Sequence, residues 1–241
     1  MKTGHWIGLF SGGKDSSYAL FSATNSGYHV GQLLTMHPGS ESYLFHRPAT
    51  SITGLMAESM ELPITHRRMP DSTDEANATS TERGDAEAEA LADAIAEILE
   101  LSTEPVTGII SGAVESRFQF DRLEALCSTF DLDHIAPLWQ CETHETMTAM
   151  VEQGFDVRII AVAAEGLDET WLGRQIDQET VDRLHALETD VGIHPMGEGG
   201  EYETIVVDSP LYSHRIEFDA RTEWDGIRGE LVIADAWLSK K

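Results

Sequence analysis

Lysine has almost vanished from this chain. Of its 241 residues only Lys2, Lys14, Lys240 and Lys241 are lysines; twelve arginines complete the 16 basic side chains, against 42 acidic ones, for a formal charge of −26. Cysteine is scarce too. Cys127 and Cys141 stand alone with no CxxC spacing, which argues against a disulfide framework or a thiolate zinc site and fits a reducing compartment. There is no run of 18 apolar residues to cross a membrane, and no apolar secretion segment precedes the first glycine-rich stretch, so a cytoplasmic protein with no membrane partner is expected. Basic patches of the kind that grip nucleic acid are missing as well, and no direct nucleic-acid contact is expected.

The acids are spread along the whole sequence rather than gathered in a tail. Such a surface repels itself in dilute buffer, whereas at about 1 M salt the Debye length shrinks to ~3 Å and the repulsion is screened. Adaptation to a salt-saturated cytoplasm is the expected cause, with a dedicated basic partner as the alternative. Lys14, isolated in so lysine-poor a chain, is expected to have a task.

Its neighbours say which. The apolar run Trp6-Ile7-Gly8-Leu9-Phe10 reads as a strand, Ser11-Gly12-Gly13-Lys14-Asp15-Ser16 as a turn, and Ser17-Tyr18-Ala19-Leu20-Phe21 as the start of a helix. Two adjacent glycines let backbone N–H groups turn toward one point, and the new helix adds unpaired donors and a positive dipole end. Phosphate is the natural guest. The Walker loop needs Gly, four residues, then Gly-Lys-Ser/Thr, whereas here Lys14 follows a glycine pair and precedes Asp15. An ordinary turn with a Ser or Asp helix cap is the plain alternative.

Strands at 6–10, 29–36, 64–69 and 107–111 alternate with helices at 16–26, 50–60, 83–101 and 117–130, and Asp133 to Leu138 follows. That is the rhythm of a parallel sheet flanked by helices, in which the first βα turn belongs to the ligand site. Residues 70–85 are polar and read as a loop, a candidate lid. The helix after them sets Ala88, Leu91, Ile95, Ile98 and Leu99 on one face. Beyond Gln140 the texture changes to a helix at 142–153, a strand at 156–163, a helix at 177–187 and strand-like segments near 205–207 and 230–233. The fold class expected is α/β, with a parallel-sheet domain over 1–140 and a smaller mixed α/β domain over 141–241 covering the substrate side.

Four further segments carry candidate chemistry. Gly197-Glu198-Gly199-Gly200-Glu201-Tyr202-Glu203-Thr204 forces an irregular backbone from which three carboxylates project. They can hold Mg²⁺, orient an amine, take a proton from a nucleophile, or simply form an acidic surface turn. Trp171 and Arg174 follow the apolar strand at 159–162 and read either as recognition groups or as a core indole with a surface ion pair. Gly112 and Ala113 exit a strand before Arg117 and Arg122, placing those arginines near a phosphate or carboxylate, or in a plain surface network. His46, after Glu41-Ser42-Tyr43, reads as a substrate contact or as a capping or solvent-facing histidine.

Ser11 to Ser16 resembles the loop of the N-type ATP pyrophosphatases, the PP-loop branch of the HUP fold, which cleave ATP between the α- and β-phosphates. Taken in order with the Glu-Ser-Tyr segment and His46, Gly112-Ala113 leading to Arg122-Leu123-Glu124, Pro137-Leu138-Trp139, Gly166-Leu167-Asp168 with Trp171-Leu172-Gly173-Arg174, and Glu198-Gly199-Gly200-Glu201 with Glu203-Thr204, the chain is similar almost end to end to the diphthine–ammonia ligases, also called diphthamide synthetases. One departure is Phe118 where that family usually has Tyr; the segment around it is also more acidic than usual.

The resemblance implies ATP and Mg²⁺ as cofactors, diphthine on elongation factor 2 and ammonium as partners, and an acyl-adenylate route to diphthamide, AMP and pyrophosphate. It implies that Ser11, Gly12, Gly13, Lys14, Asp15, Ser16 and Gly112 hold the nucleotide. Lys14 would offset phosphate charge, and Asp15 would cap the helix or help place Mg²⁺. His46, Arg117, Trp171, Arg174, Gly199 and Gly200 would meet the substrate, and Glu198, Glu201 and Glu203 would receive its quaternary ammonium or deprotonate the attacking ammonium. No cysteine nucleophile of a glutaminase domain is evident; Cys127 sits in a helical pattern with Leu123 and Leu126 and reads as structural. Rival readings are a PP-loop enzyme modifying tRNA and a nucleotide sensor that binds ATP without releasing pyrophosphate.

Overall fold

The computed structural model describes residues 4–37, 52–69 and 80–241, the last stretch without the side chains of 80–86. Five strands, β1 (His5–Leu9), β2 (Val30–His37), β3 (Ile64–Arg68), β4 (Val106–Ile110) and β5 (Asp133–Ile135), form a parallel sheet in the order β3-β2-β1-β4-β5. Helices α1 (Lys14–Asn25), α2 (Thr53–Ser59), α3 (Ser80–Leu101) and α4 (Arg117–Thr129) connect them. Both faces are covered, which is why the strands read as near-continuous apolar runs. Ile7, Leu34 and Ile109 meet Ala94, Ile95 and Ile98 of α3 and Leu126 and Cys127 of α4. On the opposite face Leu33 and Ile110 meet Leu20 and Ala23 of α1 and Met56 and Ala57 of α2. Each fully buried aliphatic side chain contributes about 1.5–3 kcal/mol.

The remaining strands, β6 (Asp156–Val162), β7 (Tyr202–Asp208), β8 (Arg215–Trp224) and β9 (Gly229–Ser239), form an antiparallel sheet ordered β7-β6-β9-β8, with helices α5 (Thr143–Glu152) and α6 (Gln178–Val191) against it. Its core of Val157, Ile159, Ile160, Ile205 and Val206 is continuous with that on the α1 side of the first sheet. Phe155 stands edge-on to both Tyr18 and Phe21 of α1, 5.4 Å from each ring. Hydrogen bonds then fasten β7 to the first turn: Val206 N–H donates to Gly12 O at 3.0 Å and Lys14 N–H to Thr204 Oγ1 at 3.1 Å. The second sheet is therefore docked directly behind the glycine loop.

Two local readings needed correction. Helix α3 begins at Ser80, inside the stretch read as loop to Asp85; its first turns carry so little apolar content that no helical period shows there. Residues 70–79 of the candidate lid lie outside the described residues. Strand β8 leaves no signal in the sequence, because full burial is confined to Ile216 near one end and residues 219–223 are exposed in an unbroken run with no alternation between faces. Its turn did carry a signal: Asp225-Gly226, where Gly226 has φ +102° and Asp225 Oδ1 accepts from the N–H groups of Ile227 and Arg228.

Candidate active site

Strand order reverses between β1 and β4, so the crevice beyond their carboxyl ends is the natural ligand position. The glycine loop lies there. Gly12 takes φ +81°, a conformation that costs other residues, and Gly13 is the extended cap of α1, which has no side-chain cap. The hydroxyls of Ser11 and Ser16 lie 3.1 Å apart, and Ser16 Oγ also donates to Gly13 O. Gly112, at the exit of β4, is needed for close approach: a Cβ there would stand 2.7 Å from Ser16 N and 2.8 Å from the Asp15 carbonyl carbon. Its smallness brings the β4 exit against the amino end of α1.

Between these segments opens a cavity of about 480 Å³. Ser11, Asp15, Ser16, Ser111 and Glu198 supply polar groups, and Leu34, Met36, Leu91 and Leu126 an apolar wall. That mixture, an anion-binding end and a greasy slot, suits a nucleotide. Arg122 also lines it, its guanidinium 3.4 Å from the centre of the Phe118 ring.

Lys14 does not line this cavity. It is 3% exposed, and its ammonium donates to Asp15 Oδ2 at 2.9 Å and to the carbonyl of Met196, 5.3 Å from the centre of the Tyr202 ring. Asp15 keeps its other oxygen, Oδ1, buried and without a hydrogen-bond partner while the residue faces the cavity. Mg²⁺ commonly takes one or two carboxylates plus substrate phosphate oxygens, so this orphaned oxygen beside a phosphate loop fits the ion. Among the described residues no cluster of three or more His, Cys, Asp or Glu side chains could hold a metal by itself.

The glycine-acid turn approaches from the other side, with Glu198 and Glu201 on one cavity and Glu203 on another. Glu201 is a brace: Oε1 accepts from His194 N–H and Oε2 from Gly199 N–H, both at 2.8 Å. Glu203 projects from β7 on the face opposite Thr204 and lines a separate cavity with Trp224 and Asp225. Of the three, Glu198 alone reaches the cavity beside the glycine loop. It also lines a second, open cavity of about 490 Å³ with Glu115, Glu188, His194, Gly199 and the brace residue Glu201. Desolvation at this junction, reinforced by the Asp15 charge, holds the Glu198 carboxyl above the ordinary carboxylate range despite a hydrogen bond from Glu115 N–H.

Among the described residues, several candidates line neither of these two cavities. Trp171 is 2% exposed and serves the core, with the guanidinium groups of Arg174 and Arg183 5.2 and 4.8 Å from its ring; neither Trp171 nor Arg174 meets the nucleotide cavity. Arg117 is exposed at the start of α4, 3.8 Å from Asp121 and over the Trp139 ring. His46 lies outside the described residues. Cys127 is buried, and burial pushes its thiol up to about 12, the behaviour of a structural cysteine. The sequence reading missed Met196 and Thr204 as partners of Lys14 and Ser111 as a cavity residue. Only Ser111, next to a small-residue strand exit, left a local trace.

Fold and site define an α/β protein with an anion-cradling first turn at the switch point of a parallel sheet and an acid-lined cavity beside it. The profile of the diphthamide synthase N-terminal domain matches residues 4–133 and that of the diphthamide synthase C-terminal domain residues 142–238; the chain belongs to the diphthamide synthase family. It is 32% identical to a diphthine–ammonia ligase of Homo sapiens over 221 residues, covering 88% of this chain and 82% of that one. A diphthine–ammonia ligase of Schizosaccharomyces pombe is also 32% identical, but the 87% of this chain that aligns spans only 35% of that longer protein. A solved chain from Methanocaldococcus jannaschii, described as a "predicted subunit of tRNA methyltransferase", superposes with a TM-score of 0.44 at 18% identity, covering 86% of this chain and 97% of that one.

Proposed function

We propose that this protein is a cytoplasmic, salt-adapted diphthine–ammonia ligase that uses ATP to amidate diphthine on elongation factor 2. The observation that carries the reading is the position of Glu198, one carboxyl shared by a nucleotide-shaped cavity and an acid-lined one. The cavity bearing Glu115, Glu188, Glu198 and Glu201 suits the quaternary ammonium of diphthine electrostatically, and its neighbour suits ATP. Residues 1–140 then carry the nucleotide with Glu198 from 141–241, and 141–241 form the substrate side with Glu115 from 1–140.

In the first step the diphthine carboxylate attacks the α-phosphorus, the bond to the bridging oxygen breaks, and pyrophosphate leaves. The N–H groups at the amino end of α1 and the hydroxyls of Ser11 and Ser16 stabilise the charge that develops on the phosphates. Mg²⁺ held by Asp15 and phosphate oxygens would neutralise part of that charge. In the second step ammonia attacks the acyl carbon, the bond to AMP breaks, and a proton passes from nitrogen to the Glu198 carboxylate. A carboxylate whose proton affinity is raised by its surroundings is the better base for that transfer. Glu201 positions the turn that carries Glu198.

The test follows the phosphate products in concentrated KCl with the diphthine-bearing factor and ammonium present or omitted. Factor-dependent formation of AMP and pyrophosphate is the expected result. ADP and phosphate as products, or nucleotide binding without any cleavage, would overturn the ligase reading; the second outcome would favour a nucleotide sensor.

A further inference from the structure

At the wall of the nucleotide cavity a serine, a histidine and a glutamate form a hydrogen-bonded chain with no part in the proposed reaction. Ser111 Oγ lies 2.9 Å from His134 Nε2, and His134 Nδ1 lies 2.8 Å from Glu124 Oε1. The three meet because β4 and β5 pair in parallel, with Ile109 opposite His134 and Ile110 opposite Ile135, and because α4 runs back over that edge. The His134 side chain is 1% exposed and packs against Phe120, while Glu124 reaches solvent.

Donor and acceptor roles along the chain follow from chemistry. An ionised carboxylate only accepts, so Nδ1 of the imidazole carries the proton and donates to Glu124. In neutral His134 that leaves Nε2 bare, and it accepts from the Ser111 hydroxyl. The one proton of Ser111 is thus committed inward, and only oxygen lone pairs are left for the cavity that Ser111 lines. An acceptor so fixed disfavours an anionic phosphate oxygen and favours a donor.

Position narrows the donor further. Ser111 directly precedes Gly112, where a Cβ would run into Asp15 and Ser16 at the end bearing the glycine loop, whereas Leu34, Met36 and Leu91 form the apolar wall suited to a base. What lies between phosphate and base in a nucleotide is the sugar. Resting on the nucleotide reading above, we propose that Ser111, oriented by His134 and Glu124, accepts a hydrogen bond from a ribose hydroxyl and selects ribonucleotides over deoxynucleotides.

Calorimetric titration of the whole protein with ATP, 2′-deoxy-ATP and 3′-deoxy-ATP, in concentrated KCl, tests this. The unaltered protein is expected to bind one deoxy analogue about tenfold more weakly than ATP, the size of one hydrogen bond to an otherwise unsatisfied group. Ser111→Ala is expected to bind ATP and that analogue alike. If that variant fails to fold because His134 loses its partner, the double variant Ser111→Ala with His134→Phe removes the whole chain and carries the same expectation. Equal affinities in the unaltered protein, or full discrimination surviving in a folded variant, would overturn the proposal. Failure of ATP itself to bind would instead overturn the nucleotide reading on which it rests.

Discussion

The ammonium of Lys14 donates to the main-chain carbonyl of Met196, 182 residues further along the chain, and ties the glycine loop to the turn that carries Glu198. With Asp15 Oδ2 as its second partner, the charge sits behind the loop rather than inside the cavity. Its geometry is that of a brace between the two sheets.

Lys14→Met should therefore destabilise the protein before any nucleotide is added. The substitution leaves the Met196 carbonyl without its donor and Asp15 without its counter-ion, a loss of about 2–4 kcal/mol for a buried, paired charge. For a chain of this size each kcal/mol lowers the melting temperature by roughly 2–4 °C. Calorimetric melts of the ligand-free variant check this. A lysine serving only the nucleotide would leave the ligand-free melting temperature unchanged.

Glu201→Ala should separate the two half-reactions. Both carboxylate oxygens hold backbone N–H groups of the glycine turn, and their loss should cost about 1–3 kcal/mol of stability. Nucleotide affinity should persist, because Glu201 does not line the nucleotide cavity, while amide formation falls. Titration with ATP alongside the amidation rate distinguishes these effects. An unchanged melting temperature together with an unchanged amidation rate would show that the brace is dispensable.

Glu198 yields a pH signature. Burial raises its folded-state pKa above the ordinary value of 4.5, so the ionised carboxylate is less comfortable in the folded chain than in the unfolded one. Its penalty is absent below the unfolded pKa and grows as pH rises through the window up to the folded value. Glu198→Gln should therefore be more stable than the unaltered protein at neutral pH, with the advantage disappearing in acid, while amidation falls about 10²-fold or more. Melting temperatures measured across that range decide it; an advantage that grew toward acid would contradict the assigned direction.

How much of this was legible depends on where each signal lies. The glycine loop and its place at the end of β1 were readable because adjacent glycines, a strand before and a helix after are all local. The partner of Lys14 was not, since a main-chain carbonyl has no residue signature. The parting of Glu203 from Thr204 turns on β7 starting at Tyr202; with the strand expected only near 205, the alternation that sends Thr204 to the loop and Glu203 to the other face is invisible. Trp171 could be read as core or as recognition group from spacing alone, and its burial resolves the choice. Ser111, His134 and Glu124 meet only once β4 and β5 pair.

The charge of −26 gives a prediction independent of the site. Because self-repulsion is screened within ~3 Å at about 1 M salt, the melting temperature should climb steadily with KCl. Melts over a KCl series check this; a curve flat from dilute buffer upward would remove the case for salt adaptation.

The most direct measurement is mass analysis of diphthine-bearing elongation factor 2 after incubation with this protein, ATP and ammonium in concentrated KCl. Conversion of the modified histidine's carboxylic acid to its carboxamide, only when ATP and ammonium are both present and lost in Glu198→Gln, is the result expected. A factor whose mass is unchanged although ATP binds would contradict the ligase reading.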